Sequence, residues 1–199
     1  MMHHYLSLLL FCFSTSISPG PANLLAMLSG AKFGILKSIP AFLGILIGFN
    51  IMVFSVGVGL GSIFNQYPML HTIIKYIGVA YMLYLAYCII RSDTVLGAAE
   101  EGEKPISFLQ AALLQWVNPK GWIMAIGAVS AYALQTAHPI GQAAIISLVF
   151  FLVGVPCIGV WLISGAMVRK FLSNQKNMKI FNYITGILLI ASILLVLVE

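Results

Sequence analysis

The chain has 199 residues, of which 61% are hydrophobic and only 8% charged, with a mean hydropathy of +1.03. A soluble domain of this length carries roughly a quarter charged residues. The composition therefore excludes a soluble fold and predicts one integral membrane domain over 1–199, with no room for a soluble module. A net charge of +5 would suit nucleic acid, but the rule that keeps positive residues on the cytoplasmic side of a membrane accounts for it better, so no nucleic-acid partner is expected.

In chain order, the first apolar run extends from Tyr5 to about Gly30. No Lys or Arg precedes it and no small-x-small cleavage site lies before Pro19, so it is expected to stay in the protein as a span. Ser18-Pro19-Gly20-Pro21 interrupts it. Pro19 and Pro21 have no N–H, so the carbonyls of Thr15 and Ile17 lose their helical donors. Unpaired backbone groups at membrane depth persist only inside protein or beside a wet cavity. The half-helix restarting at Pro21 leaves the N–H groups of Ala22 and Asn23 at the positive end of a helix dipole, a place for a carboxylate.

Five further runs are long enough to span, since roughly 20 residues cross the hydrocarbon core. They are Ile39 to Ile63, rich in glycine; Met69 to Ile90; Ile106 to about Leu134; Ile140 to Val168, with Pro156 inside; and Met178 to Val198. The fourth run repeats the break at Asn118-Pro119-Lys120-Gly121. The only hydrophilic connection, Arg91 to Lys104, divides the chain into halves of about 1–95 and 104–199 with three spans each. Three is odd, so two halves of one fold must lie inverted to each other. The prediction is an all-α membrane protein: six transmembrane helices in two inverted three-helix repeats, helices 1 and 4 broken at proline. Such repeats place a transport site near the midplane and work by rocking one half against the other.

Lys32, Lys37, Arg91, Lys104, Arg169, Lys170, Lys176 and Lys179 all lie in connections on one side of this arrangement; the other side has only Lys75. Positive residues stay cytoplasmic, so both termini are expected on the outer side.

Lys120 stands out, because a charge at membrane depth costs at least a few kcal/mol and marks a functional position facing the protein interior. Its bland alternative is snorkelling to an interface. With Ser18, Gly20, Ala22, Asn23, Gln115 and Asn118 it forms the predicted substrate site, bounded by the breaks at Pro19, Pro21 and Pro119. Asn23 and Asn118 serve equally well as local caps. Ser14, Thr15, Ser16 and Ser18 line the approach to the first break, and some of these hydroxyls are expected to bond back to their own helix; Gln110 and Gln115 are expected to bond between helices. Of Tyr76, Tyr81, Tyr84 and Tyr87, one phenol can reach the cavity. All five acidic residues lie outside the spans, so the interior suits neutral zwitterions rather than a cationic cargo such as lysine.

Cys12, Cys88 and Cys157 are widely spaced in apolar runs and read as buried hydrophobes. No motif for a catalytic triad or a P-loop occurs, so neither an enzyme nor a cofactor or metal is expected. Two alternatives remain open: a thiol-redox carrier, which needs a cysteine near each break, and a metal or inorganic-ion transporter, which needs ligands that the spans lack.

Ser18-Pro19-Gly20-Pro21-Ala22-Asn23, followed by Gly30-Ala31-Lys32-Phe33-Gly34, resembles the signature of the LysE/RhtB family of bacterial amino-acid exporters. Lys104-Pro105-Ile106-Ser107-Phe108, leading to Gln115-Trp116-Val117-Asn118-Pro119-Lys120, is similar to the family's fourth segment. Both motifs match in order, and within the family the chain looks closest to the cysteine/O-acetylserine exporters. The resemblance implies a six-span protein of the bacterial inner membrane that exports small neutral amino acids or derivatives, of cysteine/O-acetylserine or homoserine/threonine type, by proton exchange. It implies Pro19, Gly20, Pro21, Asn23, Asn118, Pro119 and Lys120 as central elements. The partners expected are the amino acid and the lipid bilayer, with room for a homodimer.

Overall fold

The computed structural model describes residues 2–60, 66, 68–91, 104–132, 139–169, 172 and 174–198. All regular structure among them is helical. Helices are α1 (Met2–Ile17), α2 (Pro21–Ser55) running into a π-helical turn (Val56–Leu60), α3 (Pro68–Arg91), α4 (Phe108–Trp116), α5 (Pro119–Tyr132), α6 (Pro139–Val168) and α7 (Gln175–Val198). By length and hydropathy, Pro21–Gly59 and Pro139–Val168 are each sufficient to cross a membrane.

Both expected breaks are present. Backbone leaves the helix between Ile17 and Pro21, and again at Val117 and Asn118. Pro156 lies within the continuous α6, as expected. The connection between the first two runs differs from expectation. Instead of a basic loop, helix continues from Pro21 through the second run, and only Gly34 departs from it (φ 77°, ψ 174°). That φ lies where glycine alone is unstrained, and an added Cβ would stand 3.1 Å from the guanidinium of Arg169. A single-residue kink thus replaces the loop. Residues 92–103, most of the expected linker, lie outside the described residues, as do His138 and Lys170.

The largest packings are α2 on α6, α2 on α4, α3 on α7 and α1 on α6, and each joins the first half of the chain to the second. Three apolar clusters fill the interior. One gathers Leu8, Met52, Val53, Trp122, Ile146 and Phe150 from α1, α2, α5 and α6. A second joins Leu24 and Met27 of α2 to Val79 and Met82 of α3 and Leu189 and Ile193 of α7. The third sits where α2 meets α4 and α6, around Ile45, Leu46, Ala111 and Leu162.

Several glycines permit close helix packing. A Cβ on Gly165 of α6 would run into the Met27 carbonyl of α2, and one on Gly30 of α2 would run into the Leu162 carbonyl of α6. The Gly44–Gly48 pair on α2 receives α4 in the same way, an added Cβ on Gly48 lying 2.6 Å from Ala112 Cα. Where lipid removes the hydrophobic drive between helices, such small-residue seams supply the van der Waals contact.

These seams predict a contrast between two glycines of α6. Gly165→Ala forces α6 away from the α2 backbone and is expected to cost about 1–3 kcal/mol, as overpacking does. Gly159→Ala, where an added Cβ meets nothing within 4 Å, is expected to leave stability unchanged. Thermal unfolding of the two variants in detergent checks this, and equal midpoints would show that the seam is not tight.

Candidate functional site

At the first break every carbonyl from Thr15 to Pro19 has a donor. Ser18 Oγ donates to the Thr15 carbonyl at 2.9 Å. Asn23 Nδ2 donates to the carbonyls of Ser16 at 2.7 Å and Ser18 at 2.8 Å. The indole Nε1 of Trp161, on α6, donates to the Ile17 carbonyl at 3.0 Å. Lys120 Nζ, from the second break, donates to the carbonyls of Ser18 at 2.8 Å and Pro19 at 3.1 Å and to Ser18 Oγ at 2.6 Å. The carbonyls at the break are therefore repaired by side chains, two of which, Trp161 and Lys120, arrive from elsewhere in the chain.

The ammonium of Lys120 has three donors, and three oxygens at the end of α1 take them. The C-terminal end of a helix carries partial negative charge, so a cation there is stabilised. The Lys120 ammonium is turned onto the end of α1, toward the other break. Its stem lies against Gly20, where an added Cβ would come within 2.7 Å of Lys120 Cδ. Only glycine leaves the lysine that passage.

The second break is closed in a related way. Asn118 N donates to the Gln115 carbonyl, the one freed by Pro119, at 3.2 Å. Trp122 Nε1 donates to the Trp116 carbonyl at 2.8 Å, with the two indoles edge to face at 5.8 Å. Gln115 Nε2 donates to the Ala111 carbonyl of its own helix at 3.0 Å. The two asparagines have different roles. Asn23 caps the end of α1, whereas the side-chain oxygen of Asn118, a residue only 6% exposed, has no hydrogen-bond partner among the described residues.

Between the breaks lies a small cavity of about 40 Å³. Polar Thr15, Ser16, Asn23, Asn50, Gln115, Asn118 and Lys120 line it together with apolar Leu46, Phe49, Met124, Phe150 and Ile158. Of the predicted site residues, Gly20, Pro21, Ala22, Asn23, Gln115, Asn118 and Lys120 line it, while Ser18, Pro19 and Pro119 do not. Ser18 reaches the site through Lys120. Across Pro21, Ala22, Gln115 and Asn118 a second cavity of about 30 Å³ is lined by Tyr81, the one phenol of the four tyrosines that approaches the site. Tyr76, Tyr84 and Tyr87 are exposed.

Several expectations need correction. Gln110 makes no bond between helices; it forms a capping box with Ser107, accepting from Ser107 N at 3.0 Å while Ser107 Oγ accepts from Gln110 N at 3.3 Å. Gln115 likewise bonds within its helix. Ser14, Thr15 and Ser18 bond back as expected. Cys12 and Cys157 are buried free thiols, and the side chain of Cys88 lies outside the described residues. Sequence reasoning missed Trp161 and Asn50. Asn50 lines the cavity, accepts from Ser147 Oγ at 3.1 Å and donates to the Leu46 carbonyl at 2.8 Å. A donor-only indole and a lone amide inside apolar runs were the available signals.

The chain is 28% identical over 159 residues to the cysteine/O-acetylserine efflux protein of Salmonella typhimurium, covering 78% of this chain and 79% of that one. The protein of the same name from Escherichia coli matches to the same extent, 28% over 159 residues, again 78% and 79% of the two chains. No solved structure matches. The family model described as LysE type translocator matches residues 13–198, nearly the whole length. Helices broken at two prolines, a charge held between them and this match lead to one conclusion: the chain belongs to the LysE type translocator family of membrane transport proteins.

Proposed function

We propose that the protein is a secondary active exporter of small neutral amino acids or their derivatives, of cysteine/O-acetylserine or homoserine/threonine type. It works across the bacterial inner membrane, in exchange for protons, with both termini on the periplasmic side. The observation that carries this reading is the cavity between the two helix breaks. Its lining combines polar groups at the two helix breaks with apolar side chains such as Phe49, Met124 and Phe150, a mixture that suits an amino acid's head group and side chain. The relatives named as cysteine/O-acetylserine efflux proteins support the same substrate class.

In this reading the substrate carboxylate sits over the N–H groups at the start of α2, at Ala22 and Asn23, where the dipole is positive. Lys120 supplies the nearby positive charge, and a carboxylate competes for it with the carbonyls of Ser18 and Pro19. The inverted repeat is supported by the pattern of packing. α1 lies on α6 as α4 lies on α2, and α3 pairs with α7, as a two-fold axis in the membrane plane would require. Exposed Lys37, Arg91, Lys104, Arg169, Lys176 and Lys179 support the orientation.

Lys120→Met removes the donors of three oxygens at the end of α1. Hydrogen bonds of a charged group contribute about 1.5–3 kcal/mol, so efflux of labelled cysteine or O-acetylserine from loaded proteoliposomes is expected to fall about 10- to 100-fold. Normal efflux by a folded variant would remove Lys120 from the mechanism. Ser18→Ala, which keeps both carbonyl acceptors, is expected to lose less.

Cargo charge gives a separate test. Vesicles loaded with lysine or arginine are expected to show no efflux above empty controls, while homoserine, threonine, cysteine or O-acetylserine leaves and the lumen gains protons. Efflux of lysine at the rate of the neutral amino acids would overturn the assignment of substrate class. Efflux without a pH change would overturn the exchange.

A further inference from the structure

We infer that Oδ1 of Asn118 receives the substrate's α-ammonium, so that a free, charged α-amine is required for recognition. The inference rests on the exporter reading and adds the second half of the head group to it.

Each carbonyl from Thr15 to Pro19 already accepts from a side chain. Asn50 Oδ1 accepts from Ser147. The backbone of Asn118 is used on both sides, its N–H on the Gln115 carbonyl and its carbonyl accepting from Trp122 N at 3.3 Å. Its side-chain oxygen, in a residue 6% exposed, is buried and has no partner among the described residues. Buried polar atoms are rarely left so, and one that is left asks for a ligand to complete it.

Position and chemistry agree with an ammonium. Asn118 precedes Pro119 at the start of α5 and lines the cavity together with Pro21 and Ala22 at the start of α2, where the carboxylate is placed. All three also line the neighbouring cavity, so they share the wall between the two. In an α-amino acid the carboxylate and the ammonium share one carbon. A head group with its acid over α2 therefore keeps its amine within reach of Asn118 in the same wall. A neutral carboxamide oxygen accepts from one ammonium without adding a charge. That suits a zwitterion, whose own carboxylate completes neutrality, better than a dication.

Two probes differing only in the amine test this: O-acetyl-L-serine and 3-acetoxypropanoate, its counterpart without the amine. Binding of each to purified wild type and to Asn118→Leu is measured by thermal shift and calorimetry, with export of each from proteoliposomes. Wild type is expected to prefer O-acetyl-L-serine by about 10- to 100-fold, the range for one hydrogen bond to a charged group. Asn118→Leu is expected to erase that preference by weakening O-acetyl-L-serine alone. Equal binding of both probes by wild type would overturn the inference, and this arm needs no variant to fold. A variant that weakens both probes equally would also overturn it, since Asn118 would then act through the carboxylate or the fold. A wild type that neither binds nor exports any amino acid would sink the exporter reading and this inference with it. A wild type that exports amino acids yet treats the probes alike sinks this inference alone.

Discussion

A broken helix and a buried ammonium satisfy each other in this protein. Alone, either would be costly at membrane depth: carbonyls without donors by several kcal/mol each, and a lysine by at least a few. Together, the end of α1 offers three oxygens and Lys120 offers three N–H groups. The counter-charge is thus distributed over helix-end carbonyls and a hydroxyl. Everything near the contact is shaped to it. Gly20 gives the lysine stem its passage, Asn23 and Trp161 take the carbonyls the ammonium does not reach, and Ser18 both accepts from Lys120 and donates to Thr15. The contact spans 102 residues of sequence and joins the two breaks into one site.

This arrangement also bears on the charge that the cavity offers under the exporter reading. With α1 and Lys120 neutralising each other, what remains are the starts of α2 and α5 and the carboxamides of Asn23, Asn50, Gln115 and Asn118. Helix starts favour negative charge and carboxamide oxygens accept from a cation, so such a lining is compatible with a zwitterion.

Much of this was legible in the sequence because proline has only one backbone consequence. Two Pro-containing interruptions in otherwise apolar runs fix where carbonyls lose donors, and an isolated lysine beside one of them must find acceptors. Hence Pro19, Pro21, Pro119, Lys120 and both asparagines could be placed in one site without coordinates. What could not be read is which donor goes to which carbonyl. Trp161 and Asn50 lie in runs whose periodicity is flat, since lipid and protein faces are both apolar, so nothing local says that they turn inward. The kink at Gly34 was hidden for the opposite reason. A basic, small-residue stretch reads as a loop, but only one residue of it needs a non-helical φ. Gln110 was misjudged because a capping box three residues long looks, in an apolar context, like a polar residue seeking another helix.

The distribution of close contacts bears on how such a transporter can move. The expectation of two rocking halves assumes that each half is a body in itself. Yet the tight seams, Gly30 and Gly165 between α2 and α6 and Gly44 and Gly48 between α2 and α4, cross from one half to the other with backbone against backbone. Separating the halves would open all of them at once. α3 and α7 pack mainly on each other and meet α2 through the side chains of Leu24 and Met27. α3 also has a seam of its own: a Cβ on Gly78 would run into the Val117 carbonyl at the second break. The close contacts therefore tie α3 to the break as firmly as they tie α2 to α4 and α6, and under the exporter reading a rocking motion has to reseat these seams rather than leave them intact.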